Sequence, residues 1–214
     1  MPMSTRRDLS AASVRIRGAA AGVLVTVTFG ALWAWWGDLA LGGLAGLLLV
    51  VITGAIAVPL ILAAIRLLLV TQRLLPGISG NPLRALSYRL AVAFEAITIP
   101  VADALLGKEH HAAFMAPVTA MIMGIHFFGL VSASKVRLYL GVGLAMCALA
   151  GLTMLLLPAS GTVGGGVAPH HIIIWTVVVG LGCAAILWAG AVDRLMYAYE
   201  ETRQVISQAP HDRS

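Results

Sequence analysis

The chain has 214 residues, 60% of them apolar and only 11% charged, with a formal net charge of +5 and a mean hydropathy of +0.95. A soluble domain of this size cannot wrap so much apolar surface around one core, so the apolar residues must face lipid. The positive charge then speaks for anionic lipid beside the chain rather than for a nucleic-acid partner.

Apolar runs close to the roughly 20 residues that cross a hydrocarbon core of about 30 Å predict an all-α integral membrane bundle. Six transmembrane helices are expected, at residues 18–37, 39–65, 90–106, 112–133, 138–157 and 171–192. The first follows a basic tail, residues 1–17, in which Ser4-Thr5-Arg6-Arg7-Asp8-Leu9 is similar to a twin-arginine export signal. No small-x-small cleavage pair closes the run, where Trp33, Trp35 and Trp36 crowd instead, so the tail reads as an anchor for helix 1. The pairs Gly18/Gly22 and Gly42/Gly46 have the four-residue spacing that lets helices approach closely. The second run is longer than a perpendicular crossing needs, and Pro59 removes a backbone donor within it, which predicts a tilt or bend.

The connector 71–89 carries the turn signals Pro76-Gly77, Ser79-Gly80 and Asn81-Pro82, with a short interfacial helix expected over 82–89. The third run is the least apolar because it holds Glu95 and Asp103, and by hydropathy alone the count falls to five. Cys147 and Cys183 lie in the middle of the fifth and sixth runs, where thiols serve as small apolar fillers without need of a disulfide. Between those runs, 158–169 includes glycines 164–166 and is expected to be mobile. Residues 193–214 form a tail that prolongs the last helix as far as Gln208.

Charge decides orientation, because Lys and Arg near helix ends stay on the cytoplasmic side. Arg6, Arg7, Arg15 and Arg17 precede run 1; Arg66, Arg73, Arg84 and Arg89 separate runs 2 and 3; Lys135 and Arg137 separate runs 4 and 5; Arg194, Arg203 and Arg213 follow run 6. With six crossings these 13 of the 14 basic residues share one face and only Lys108 is on the other, so both termini are expected in the cytoplasm. Removing the third crossing would scatter the last two clusters onto the wrong face. Aromatic rings favour the interface, and Trp33, Trp35, Trp36 and Trp175 fall at the expected outer ends while Tyr88, Tyr139, Trp188 and Tyr197 fall near inner ones.

An ionisable residue inside a membrane is costly, about 2.5–3.5 kcal/mol for an acid at a helix centre on insertion scales. Glu95 and His126 are the leading candidates, with Asp103 beside them in run 3. Glu95 is about 8 Å and His126 about 11 Å from the same end of their helices at 1.5 Å per residue. The short connection 107–111 makes those helices antiparallel neighbours. Depth alone does not settle whether the two side chains meet. If they do, burial favours a neutral hydrogen-bonded pair and mutual attraction favours Glu⁻ with His⁺. A site balanced between these states suits a proton relay; a fixed pair suits an interhelical clamp.

A second group, Asp103, Glu109, His110, His111, His170 and His171, collects at the expected outer face. Imidazole and carboxylate suit zinc, but adjacent histidines diverge on a helix and no His-x-x-x-His or Cys-x-x-Cys motif is present, so no metal or other cofactor is assigned. Nothing matches a nucleotide-binding glycine loop, a catalytic triad or His-Glu-x-x-His, and no enzymatic activity is predicted.

The stretch 93–132 contains Phe94-Glu95-Ala96-Ile97, Ala116-Pro117-Val118-Thr119-Ala120 and Met123-Gly124-Ile125-His126-Phe127-Phe128-Gly129-Leu130. It resembles a group of small, uncharacterised bacterial multi-pass membrane proteins in which a Glu-containing helix precedes a Gly-(Leu/Ile)-His-Phe motif. Ile125 stands for the usual Leu, and Gly129 where Pro is common. The resemblance implies that Glu95 and His126 belong to one device in a bacterial cytoplasmic membrane, without implying a substrate. Two functions follow as expectations: a small proton-coupled transporter or permease using Glu95 and His126, or a non-catalytic accessory subunit in which they clamp two helices. A bundle this small is also compatible with self-association, with no interface assignable.

Overall fold

The computed structural model describes residues 3–74, 86–134, 136–163 and 170–208. They form six helices, α1 (Met3–Leu41), α2 (Gly43–Leu74), α3 (Leu86–Lys108), α4 (Met115–Ser134), α5 (Leu138–Leu156) and α6 (Ile174–Gln208). Five of them contain stretches long and apolar enough to cross a bilayer: Ala11–Leu41, Gly43–Gln72, Ala112–Val131, Leu138–Leu156 and Ile174–Val205. This is the pattern of a multi-pass membrane protein. The helix bearing Glu95 and Asp103 is not among the five.

Several expected boundaries move. The break between the first two helices is at Gly42 and Gly43, with φ of +66° and +58°, rather than between residues 37 and 39. A left-handed backbone strongly favours glycine, so this pair makes the tight turn and Asp38 becomes helical. The connector 71–89 is shorter than expected, because Thr71–Leu74 complete α2 and Leu86–Arg89 open α3; residues 75–85, and with them the first half of the expected interfacial helix, lie outside the described residues. The last helix starts at Ile174, since His170–Ile172 pairs antiparallel with Gly161–Val163 in a small hairpin, β2 with β1. Glycines 164–166 lie outside the described residues. At the other end, α6 does continue to Gln208.

The helices pack in an order that leaves two at the periphery. α1 lies along α6 and beside α2, α4 joins α3 to α5, and α6 also touches α4 and α5. The core is built from Val23, Val27, Trp33, Met123, Phe127, Met146, Val179, Leu187 and Trp188 among others. By contrast α2 turns Leu44, Leu48, Val51, Leu62 and Leu69 outward, as a helix apolar on all sides does in lipid. On α3, Phe94, Ile97, Val101 and Leu105 form the exposed stripe, opposite Glu95 and Asp103.

Close approach is made by small residues, though not all of those expected. A Cβ added at Gly180 would lie 2.8 Å from Gly37 Cα and from the Trp33 carbonyl oxygen, and one at Gly143 would lie 2.6 Å from the Gly124 carbonyl oxygen. These contacts seat α6 on α1 and α5 on α4. Gly46 is similarly tight against the Asp38 carbonyl, whereas Gly18 faces open space and Gly22 meets only the Tyr139 hydroxyl at an ordinary 3.6 Å. The spacing of Gly18 and Gly22 therefore marks no helix contact at Gly18.

The aromatic belt is also thinner than composition suggests. Trp188 is buried, donates to the Val27 carbonyl at 3.3 Å and fills the space over Gly30. Trp175 is buried, donates to the Leu157 carbonyl at 3.0 Å and meets Phe114 edge to face at 4.9 Å. Both are core anchors. Trp35 is over half exposed.

At 39 residues α1 is about 58 Å long, nearly twice a hydrocarbon core, and its N-terminal half packs on α6 and α2 through Ile16, Ala20, Leu67 and Ala198. There Arg15 Nε donates to Glu201 Oε1 at 2.9 Å, and the Arg194 guanidinium sits over the rings of Tyr139 and Tyr197. The Arg15 side chain is 54% exposed, and exposed ion pairs contribute about 0–1 kcal/mol. Arg15→Gln is accordingly expected to shift unfolding by less than about 1 kcal/mol, as read from a thermal melt of the purified protein.

Candidate functional site

Along α3, Glu95, Ile99 and Asp103 recur every four residues and so share one face. On α4, Thr119, Met123 and His126 do the same with spacings of four and three. Because the two helices form an antiparallel hairpin, the faces meet in register. His126 Nδ1 lies 3.3 Å from Glu95 Oε2, and about 12 Å further along the Thr119 hydroxyl donates to Asp103 Oδ1 at 3.1 Å. Glu95 and His126 do face each other, and Asp103 belongs to the same seam.

The turn that sets this register is compact. Lys108 ends α3, His110 adopts φ +59°, and a single 3₁₀ turn at Ala112–Phe114 leads into α4. Pro117 sits in the first turn of α4, where its missing N–H would have had no helical partner in any case. His126 is 7% and Glu95 15% exposed at the side chain, and the imidazole stands edge-on to the Phe127 ring, 5.8 Å between centroids.

The two partners differ in surroundings. His126 is packed into α4, while Glu95 also lines a cleft of about 180 Å³ between α1, α3 and α4. Its other walls are Phe29, Leu32, Trp33 and Trp36 from α1, Ile99 from α3, and Thr119 and Met123 from α4. Trp33 and Trp36 stack at 5.5 Å with their planes 29° apart. Glu95 is the one ionisable residue among those walls.

A further acid was not foreseen. Asp38 is 2% exposed near the α1–α2 turn, where its Oδ2 accepts from the Thr53 hydroxyl at 3.2 Å while Oδ1 is buried with no hydrogen-bond partner. The Gly42-Gly43 dipeptide, itself a turn signal, was the cue that would have placed Asp38 inside the helix.

Of the group at the hairpin end, Asp103 belongs to the seam, and the side chains of His170 and His171 lie outside those described. Glu109, His110 and His111 are exposed in the turn after α3, and His111 meets Phe114 edge to face at 6.0 Å. The backbone of His170 and His171 lies in β2 opposite Val163 and Thr162. Among the described residues no three His, Cys, Asp or Glu side chains gather as a metal site. Cys147 and Cys183 are both free thiols, half-buried and buried respectively.

Comparison of the chain with protein-family models, with curated proteins and with solved structures returns no match.

Proposed function

We propose that the chain is a six-span protein of a bacterial cytoplasmic membrane, with both termini inside against anionic lipid, that works as a small proton-coupled transporter or permease. The observation that carries this reading is the position of Glu95, whose carboxylate meets His126 and which is also one of the residues lining a cleft. A carboxylate used only to join helices gains nothing from facing a cavity. One that must accept a proton and respond to a ligand needs both neighbours. The six crossings follow from the basic residues, since α3 must cross for 13 of 14 to share a face. The bacterial group that 93–132 resembles has the same acid and histidine on consecutive helices, and we read the two as one device.

The test is Glu95→Gln, which preserves shape and can still hydrogen-bond His126. Reconstituted into vesicles under an imposed pH gradient, the variant is expected to keep the wild-type abundance and thermal midpoint while proton flux drops to that of empty vesicles.

The two rungs, Glu95 with His126 and Asp103 with Thr119, both join α3 to α4, on which α3 chiefly packs. That observation favours the second reading, a polar clamp in an accessory subunit. It predicts the reverse outcome for the same variant: lower abundance or thermal stability, and no wild-type proton flux to lose.

A further inference from the structure

We infer that the cleft between α1, α3 and α4 binds a small, weakly hydrated organic cation of the tetraalkylammonium type, held by Glu95 and the aromatic residues Phe29, Trp33 and Trp36 that line it. This deepens the transporter reading and rests on it for the claim that the bound cation is cargo. The chemistry of the walls selects the ligand class. Of the eight lining residues, six are apolar or aromatic, namely Phe29, Leu32, Trp33, Trp36, Ile99 and Met123, one is Thr119, and one is an acid. The Thr119 hydroxyl already donates to Asp103.

An anion would meet the carboxylate and, apart from the indole N–H groups, no donor. A sugar or other polyhydroxylated solute would leave its hydroxyls unpaired, at about 1–3 kcal/mol each. A hard metal cation takes six or more oxygen ligands, and the cleft has a carboxylate and one hydroxyl. A cation with an alkyl surface needs none of these: Glu95 offers the opposite charge, and the π-faces of Trp and Phe attract a cation within about 6 Å of a ring centroid. The volume of about 180 Å³ is below the roughly 300–1,000 Å³ of sites for drug-sized molecules, which sets the size as small.

The probe is tetraethylammonium chloride, titrated by calorimetry into the purified full chain in lipid nanodiscs. Saturable binding is expected for the wild type, weaker by roughly tenfold or more in Glu95→Gln and in Trp36→Leu. Trp36→Phe keeps a π-face and is expected to restore affinity to within a few-fold, which a merely structural tryptophan would not require. Thermal midpoints measured on the same samples show that each variant is folded. Absence of saturable binding by the wild type overturns the inference, as does equal affinity in the wild type and Glu95→Gln, or equal weakening by Trp36→Phe and Trp36→Leu; a cleft that serves only lipid chains or a second copy of this chain gives the first of these. The two readings fail separately. Glu95-dependent proton flux without tetraethylammonium binding removes the ligand class and leaves the transporter, whereas Glu95-dependent binding without proton flux keeps the site and removes the transporter.

Discussion

Gly180→Val is expected to be the most damaging single change outside the polar seam, lowering the yield of folded protein by more than about a hundredfold in the folded-to-unfolded ratio. The reason is the identity of the atoms it would strike. A Cβ at residue 180 would come within 2.8 Å of Gly37 N and Cα and of the Trp33 carbonyl oxygen. All three belong to the α1 backbone, so no rotamer change clears them. Overpacking a filled core costs about 1–3 kcal/mol when side chains can adjust, and a contact against backbone belongs at or above that upper figure; 1.4 kcal/mol is tenfold in an equilibrium constant.

The loss should also spread. Among the described residues α1 and α6 share the most extensive helix contact, and the core residues Val27, Trp33 and Trp188 line it. Measuring fluorescence-detected monodispersity and thermal midpoint in detergent checks the prediction. Gly18→Val is the control, since nothing lies within 4 Å of a Cβ there, and it should behave as wild type. Equal behaviour of the two variants would remove the argument that α6 is seated on α1 by a glycine contact.

The contrast between Gly180 and Gly18 also shows where the sequence was legible. Five of the helices could be read from apolar runs, because the bilayer imposes both length and composition on a span; α3, with Glu95 and Asp103, falls short by that measure. The Glu95–His126 encounter was readable to the level of depth, since rise per residue and a short connection fix it. Rotation was not readable: nothing in a single sequence says which face of α3 meets α4. Asp103 with Thr119 supplies that information once seen, because two rungs about 12 Å apart in one register require a shared face.

Aromatic and glycine signals failed for a related reason. Tryptophan serves both the interface and a core with a free carbonyl to accept from, as Trp188 and Trp175 do. Glycine pairs occur by chance in a chain with 23 glycines, and only packing distinguishes Gly180 from Gly18. The hairpin β1–β2, three residues on each side, is too short for periodicity to register.

Asp38→Asn is expected to stabilise the protein, the opposite of what removal of a hydrogen-bonded acid usually does. The Asp38 side chain has one donor, Thr53, and a second oxygen that is buried without any. A buried charge that is incompletely paired is more costly than a neutral amide of the same shape. Thr53 is not stranded by the change, because its hydroxyl also lies 3.1 Å from the Val50 carbonyl. An unsatisfied buried polar atom costs about 1–3 kcal/mol, and more when charged, so relief of the charge should raise stability by about 1 kcal/mol or more.

The consequence bears on function. An acid that lowers the stability of its own fold, in a segment of length and composition suited to the membrane, calls for a role that stability does not supply. Asp38 stands near the α1–α2 turn, on the same helix as Trp33 and Trp36. Thermal unfolding of Asp38→Asn beside the wild type gives the sign directly. A fall in the midpoint would overturn the prediction and mean that the carboxylate's bond with Thr53 outweighs the cost of the buried charge.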